Sequence, residues 1–295
     1  MVAKKRVAYK SRWSQVFDGA NAALMVFLCL AVLLPFWFLL VQSLDNVSRL
    51  SGGLYLWPQE FTLKYYRKVL SSKYIWLGYM NTLYRVGFGT LLSLFCTSMG
   101  AYAISKKYFP HRTFWTFFML FTMFFGGGLI PTFLWYRTLG FIDNRLVYIL
   151  PGMVGVYNLV MIRNFISTIP GEMEESARLD GANDFQIYLH IILPMSKPIL
   201  ATVGLWLIVG NWNAWFDCLV YMRSGSKQVL QVVLRRILNE GSNEMLEGAN
   251  VEDMAVSPEM LKAATIFVST IPVLLIYPFL QKYFVKGIYV GSLKG

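Results

Sequence analysis

Apolar residues in this chain come in long uncharged blocks separated by short charged segments. The blocks are Ala22–Leu40, Val86–Ser105, Thr113–Tyr136, Leu146–Ile162, Pro198–Phe216 and Ala263–Leu280. Crossing roughly 30 Å of hydrocarbon takes about 20 helical residues, within a range near 17–25. All six blocks meet that length, Leu146–Ile162 and Ala263–Leu280 only just. None alternates apolar with polar residues, so helices rather than barrel strands are expected. The pattern predicts an all-α polytopic membrane protein with six transmembrane helices. The first block is too long for the apolar region of a cleavable signal peptide, and no small-residue cleavage site follows it. It therefore counts as span one.

The segments between the blocks set the organisation. Residues 1–16 form an N-terminal tail, and 17–295 a single transmembrane domain. Lys4, Lys5, Arg6, Lys10 and Arg12 precede the first acid, Asp18, which places the N-terminus in the cytoplasm. Six spans then return the C-terminus to the same side. On this reading 43–75 and 221–262 are outside loops, and 163–197 is a long inside loop. Phe61–Leu70 reads as a short amphipathic surface helix, and Gln228–Asn239 has apolar residues at helical spacing.

Composition supports the membrane reading. Apolar residues make up 56% and charged residues 15%, too few charges to cover a soluble surface. The net charge of +11 would suggest nucleic acid in a soluble protein, but in an apolar chain it marks membrane flanks. Cys29, Cys96 and Cys218 are odd in number and lie in apolar runs, as buried thiols do.

Within the spans, Gly89, Ser93, Thr97, Ala101 and Ser105 recur every fourth residue, a small-residue face for close helix packing. Gly126–Gly127–Gly128 and Pro131 loosen the third span. They make either a hinge or pore-lining break, or merely a kinked packing helix.

Several chemistries are missing. There is no phosphate loop, no C-x-x-C and no H-E-x-x-H. His111 and His190 read as ordinary interfacial histidines. Midplane carboxylates, which an ion-coupled carrier needs, are absent, so the energy source lies outside this chain.

The inside loop is the most organised stretch. Thr168 is a candidate cap, Pro170 suits a first turn, and Glu172, Glu174 and Glu175 suit a helix N-terminus. Gly181 suits the residue just past the helix end. A second short helix is expected from Phe185 to Leu193, capped by Asp184. Such a loop either folds back on its own bundle or docks a cytoplasmic partner.

Glu175-Ser176-Ala177, three residues, Gly181, nine residues, then Ile191-x-Leu193-Pro194 resembles the E-A-A-x3-G-x9-I-x-L-P loop of binding-protein-dependent ABC importer permeases. Ser176 stands where the motif has its middle alanine, and Asp180-Gly181-Ala182 extends the match. Phe61–Tyr66 resembles the early outer segment of carbohydrate-type permeases, and Gln281–Gly295 their C-terminal tail. Residues 17–295 are similar to maltose-importer-type second permeases, and the narrower resemblance is to the smaller permease of alginate importers.

That resemblance implies a type I ABC importer permease in a bacterial inner membrane. It implies a coupling helix between spans four and five, with Glu174, Glu175, Ser176, Ala177, Arg178, Leu179, Asp180, Gly181 and Ala182 at the ATPase contact. Glu175 would pair charge, and Gly181 would permit close backbone approach. The chain would not be an enzyme and would carry no cofactor, ATP and Mg²⁺ being bound by a separate ATPase. The implied partners are a second permease, two ATPase subunits, an extracytoplasmic binding protein and an oligosaccharide.

Substrate-path candidates are Asn211, Trp212, Asn213, Trp215 and Asp217 in span five, Tyr157 and Asn158 in span four, and Arg85. Amides and indoles suit sugar rings, but interhelical hydrogen bonding and an interfacial tryptophan belt fit the same residues. Arg85, Arg137 and Arg145 near the outer mouth would attract an acidic sugar such as alginate, or simply snorkel to headgroups. A neutral oligosaccharide or another small solute is the alternative.

Overall fold

The computed structural model describes residues 12–46, 56–240, 257–272 and 274–275. The basic residues of the N-terminal tail before Arg12, the 241–256 stretch, the end of the last apolar block and the Gln281–Gly295 tail lie outside these residues. The named elements are all helical, with one isolated bridge, Asp45 to Phe61, and no strand among the described residues.

The helices are α1 (Arg12–Ser43), α2 (Lys64–Ser71), α3 (Lys73–Ser105), α4 (Arg112–Phe124) and α5 (Leu129–Thr138). After these come α6 (Val156–Ile166), α7 (Glu172–Leu179), α8 (Asp184–Met195), α9 (Lys197–Asn213), α10 (Phe216–Tyr221) and α11 (Leu230–Glu240). Residues 258–272 are also helical. The chain divides into two compact units, Met1–Val69 with Leu246–Phe267, and Leu70–Met245 with Val268–Gly295.

In the first unit, α1 is 32 residues long, and only 6% of its most apolar window is buried. An apolar helix exposed all round belongs in lipid. Its C-terminal end is tied to the following loop. Ser43 Oγ lies 2.8 Å from Tyr66 Oη, and the Asp45 carboxylate accepts the backbone N–H of Gln59 and Glu60 at 3.2 Å. Trp37 Nε1 donates to the Leu56 carbonyl, and its ring meets Trp57 edge-on at 5.6 Å. The helix expected over Phe61–Leu70 is α2.

The second unit packs around α3. Ser93, Thr97 and Ala101 of the small-residue face are buried. Ala101, Tyr102 and Ile104 share a core with Leu159, Ile162 and Ile166 of α6, Ile187, Tyr188 and Ile192 of α8, and Val203 of α9. A second cluster joins Val147, Tyr148 and Ile149 to Cys218, Tyr221, Val229 and Val232. The amphipathic α11 lies against the first part of α3, where Gly78 leaves room. A Cβ there would stand 3.0 Å from Leu230 Cα. The Leu230 N–H donates to Thr82 Oγ1 at 2.9 Å, and Asn81 Nδ2 donates to the Ser226 and Gln228 carbonyls.

The structure corrects two expected spans. Thr113–Tyr136 is α4 and α5, bent by 111° at the break between them. Gly128, at φ +81°, supplies a backbone conformation that a side chain would resist. The glycine run is therefore a break, not a kink. Leu146–Ile162 is not one helix. It is a 3-10 turn at Arg145–Tyr148, an irregular stretch, and then the 11-residue α6. Pro151 lacks an N–H, and Gly152 and Gly155 add no helix preference, so the helix starts only at Val156.

Candidate functional site

Two groups of candidate residues come together in the second unit. The first is the loop between α6 and α8. Thr168 does not cap α7 but closes α6, its Oγ1 donating to the Phe165 carbonyl at 2.7 Å. Gly171 is the cap of α7, and its carbonyl accepts from the backbone N–H of Glu174 and Glu175. Glu172, Glu174 and Glu175 occupy the first turn, where the helix dipole favours negative charge.

The other end of α7 closes in a Schellman motif. The Ala182 N–H donates to the Ala177 carbonyl at 2.9 Å, and the Gly181 N–H to that of Arg178 at 3.0 Å. Gly181 is at φ +83°, the left-handed conformation this turn requires. The next cap is Asn183 rather than Asp184. Asn183 and Gln186 exchange side-chain-to-backbone hydrogen bonds in a capping box, both 2.9 Å. Asp184 is one residue late for that role. It turns outward, accepting from Arg178 at 2.5 Å and from Tyr108 Oη at 3.0 Å.

These contacts divide the nine coupling candidates. Glu174 forms a half-buried ion pair with Lys106, whose ammonium lies 4.2 Å over the Tyr102 ring. The Arg178 guanidinium stacks over Tyr108 at 4.7 Å. Ala177 and Ala182 pack against the core. Glu175, Ser176, Leu179, Asp180 and Gly181 are exposed, Leu179 at 89%. Sequence reasoning missed Lys106, Tyr108 and Asp184. They belong to a basic turn and a neighbouring helix, and only the fold brings them beside α7. His190 accepts or donates only locally, its Nδ1 lying 3.0 Å from the Gln186 carbonyl.

The second group surrounds a cavity of about 300 Å³. A π-helical turn at Arg85–Gly89 interrupts α3, and such turns re-aim the side chains they carry. Arg85, in this turn, meets Asp217 at the start of α10. Nη1 donates to Oδ1 at 2.9 Å, and Nη2 to Oδ2 at 2.7 Å. This bidentate geometry is the strong form of the pair. The guanidinium also lies 5.3 Å over the Tyr148 ring. Asn211 lines the same cavity and donates to Thr90 Oγ1 at 3.3 Å. Its close approach to Gly89 leaves 3.4 Å for an added Cβ.

Of the eight path candidates, Arg85, Asn211 and Asp217 line this cavity. The other five do not. Trp212 is buried with its ring 6.3 Å from Tyr79, and Asn213 Nδ2 bonds back to the Val209 carbonyl. Trp215 lies under the Arg235 guanidinium at 3.7 Å. Tyr157 is exposed beside Trp206, and Asn158 sits against Gly155. Ser93, Tyr136 and Tyr148 also line the cavity. Their residue types gave no sign of it, because Ser93 reads as part of the packing face and Tyr136 and Tyr148 carry no distinguishing pattern.

Arg145 donates from Nε to Asn81 Oδ1 at 2.9 Å, so it is a structural link rather than a snorkelling side chain. Nearby, Asp143 joins the turn after α5 to the loop after α10. Its carboxylate accepts from Ser224 Oγ at 2.6 Å and from Lys227 Nζ at 2.9 Å. The Ser224 hydroxyl and backbone bonds and the Lys227 bond hold it well below the usual carboxylate range. No group of three or more metal-ligating side chains occurs among the described residues.

Comparison with known proteins gives the site a context. Residues 7–290 match the family described as "Binding-protein-dependent transport system inner membrane component". The polygalacturonan/rhamnogalacturonan transport system permease protein YtcP of Bacillus subtilis (strain 168) is 36% identical over 284 residues, 96% of this chain and 99% of that protein. Protein LplC of the same organism is 34% identical over the full length of both. Among solved structures, a chain from a bacterial ABC transporter involved in the import of the acidic polysaccharide alginate superposes with a TM-score of 0.87 at 36% identity. It covers 94% of this chain and 100% of its own.

Proposed function

The chain belongs to the binding-protein-dependent transport system inner membrane component family, and on that premise we propose that it is one permease of an ATP-driven oligosaccharide importer. Members of this family are transport subunits of the inner membrane and not themselves enzymes. A second permease would complete the path, two ATPase subunits would supply energy, and an extracytoplasmic binding protein would deliver the sugar. Both termini would be cytoplasmic, in keeping with the basic N-terminal tail.

The observation that carries this reading is the form of the α7 loop. The helix has its polar rim and Leu179 exposed and is held at its base by Lys106 and Tyr108, which supports its use as a docking element. Glu175, Ser176, Leu179, Asp180 and Gly181 would contact the ATPase cleft. Closure of the ATPase dimer on ATP would push α7, and the ties to 106–108 would carry that motion into α3. The two permeases would then rock as rigid bodies to alternate access.

The sugar we propose is acidic, of the alginate or polygalacturonate class. The names of the two most informative relatives support this. Neutral oligosaccharides are the second reading, and the Arg85–Asp217 pairing favours it, because it neutralises a cation that would otherwise attract a carboxylate. Uptake assays separate the two. Cells expressing the importer should take up oligogalacturonate or alginate oligosaccharides, and lose that uptake without this chain. Equal uptake of neutral oligosaccharides would count against the acidic assignment, and uptake of neither would overturn the importer assignment.

A further inference from the structure

Two arginines meet at the end of the second unit that carries the α7 loop. Arg112 opens α4, and Arg163 lies in the last turn of α6. These two helices pack against each other. Arg112, Trp115, Met119 and Met123 recur at i, i+3, i+7 and i+11, so they share one face of α4. Met119 packs against the cluster that contains Leu159, Ile162 and Ile166 of α6, which turns this face toward α6. Arg163 lies a turn from Leu159 and from Ile166, and the Arg112 charge acts on it.

Like charges so placed repel, and partial burial strengthens the repulsion. Among the described residues neither arginine is paired with a carboxylate. Of the acids in the neighbouring loop, Glu174 holds Lys106 and Asp184 holds Arg178. Arg163 is half-buried, with Nε closed off from solvent and without a partner. Its terminal nitrogens are therefore the ones open to a ligand. A guanidinium presents those N–H groups as a planar fork that fits the oxygens of a phosphate or carboxylate.

The apolar surroundings choose between anions. Trp115 is 42% and Met123 47% exposed, and no residue of α4 is fully buried. The Arg112 face thus continues from its cationic end as an apolar track, about 16 Å over eleven helical steps. A free anion or a protein carboxylate would use the charges and leave that track bare. A phospholipid uses both, its phosphate on the guanidiniums and its chain on the track.

We propose that Arg112 and Arg163 bind the phosphate of an anionic phospholipid in the leaflet on the side of the α7 loop, its acyl chain lying along Trp115 and Met123. The site is independent of which sugar the importer carries.

The test uses the tagged chain purified from its membrane with the proteins that accompany it, stripped of lipid in detergent. Binding of radiolabelled phosphatidylglycerol and phosphatidylcholine is measured by scintillation proximity. The wild type should prefer phosphatidylglycerol at least fivefold. Arg112→Gln and Arg163→Gln should each weaken phosphatidylglycerol binding about fivefold, and together about 25-fold. Phosphatidylcholine binding should not change. Lys107→Gln, at an exposed lysine of the same turn, should leave both unchanged. Should Arg163→Gln not assemble, Arg112→Gln decides, since it alters only the first residue of its helix. Equal binding of the two lipids, an equal loss in Lys107→Gln, or displacement of phosphatidylglycerol by excess inorganic phosphate at matched ionic strength would overturn the site. Loss of an accompanying protein from the arginine variants with lipid binding intact would assign the pair to a protein carboxylate and overturn it too.

Discussion

Lys106 and Glu174 form an ion pair between the end of α3 and the first turn of α7, with both side chains largely shielded from solvent and the ammonium over the Tyr102 ring. They are 68 positions apart in sequence. The pair ties α7 to the end of α3, and on the proposed reading it would lie on the mechanical route from an ATPase to the spans.

Reversing one charge should uncouple that route. Lys106→Glu or Glu174→Lys places like charges together in a shielded site and should lower uptake at least tenfold. The double exchange restores the pairing and should recover most of the uptake. Transport by the two single variants and the double variant, at matched membrane abundance, checks this. Equal impairment in all three would leave the pair without a coupling role.

Gly181 should tolerate some residues and not others. A Cβ there meets nothing within 4 Å, so the restriction comes from φ +83° and from whatever docks on the loop. Gly181→Asn, which adopts this conformation readily, should keep the turn, while Gly181→Val should strain it by roughly 1–2 kcal/mol. The valine variant should reach the membrane in normal amount and lose transport. Full transport by Gly181→Val would remove the coupling assignment for this residue.

The Arg85–Asp217 pair should be more costly to break than to replace. Removing Asp217 leaves the buried Arg85 charge uncompensated, at up to about 3–5 kcal/mol, and removing Arg85 leaves a partly exposed carboxylate, at less. Asp217→Ala and Arg85→Ala should therefore each reduce thermal stability in detergent. The double Arg85→Met/Asp217→Leu should recover much of it, but not sugar uptake. A double variant no more stable than the singles would show that the pair is not coupled.

The join between the turn after α5 and the loop after α10 should resist acid. Asp143 has its carboxyl pKa lowered from 3.8 by the Ser224 and Lys227 bonds. A lowered pKa means that its stabilising effect is present above the unfolded value, near 4, and is lost only as pH falls through the folded value. Limited proteolysis of this loop should be unchanged between pH 7 and 5. Asp143→Asn should raise cleavage across that range, because it removes the charge at every pH.

Much of this was legible in the chain. Apolar blocks near 20 residues reveal α1 and α3, because a non-alternating run of that length can satisfy its backbone in lipid only as a helix. Gly181 marks the end of α7, because few other residues adopt its conformation. The Leu146–Ile162 block misled, since an apolar run buried among other helices need not be helical itself. The cap assignments were displaced because Thr168 and Asp184 have the right chemistry and the fold uses each for a neighbouring contact. The π-helical turn and the meeting of Arg85 with Asp217, 132 positions away, left no local signal. Both depend on how α3 and α10 pack.

The central claim is that the α7 loop connects this chain to an ATPase. Leu179, at 89% exposure on that helix, is the position to probe. A tagged Leu179→Cys chain is purified from its membrane with the proteins that accompany it and treated with a short thiol-reactive cross-linker. The predicted result is a cross-link to an ATPase subunit whose yield changes when ATP is added. Recovery of the chain without any ATPase, or cross-linking only to its own spans, would contradict the claim.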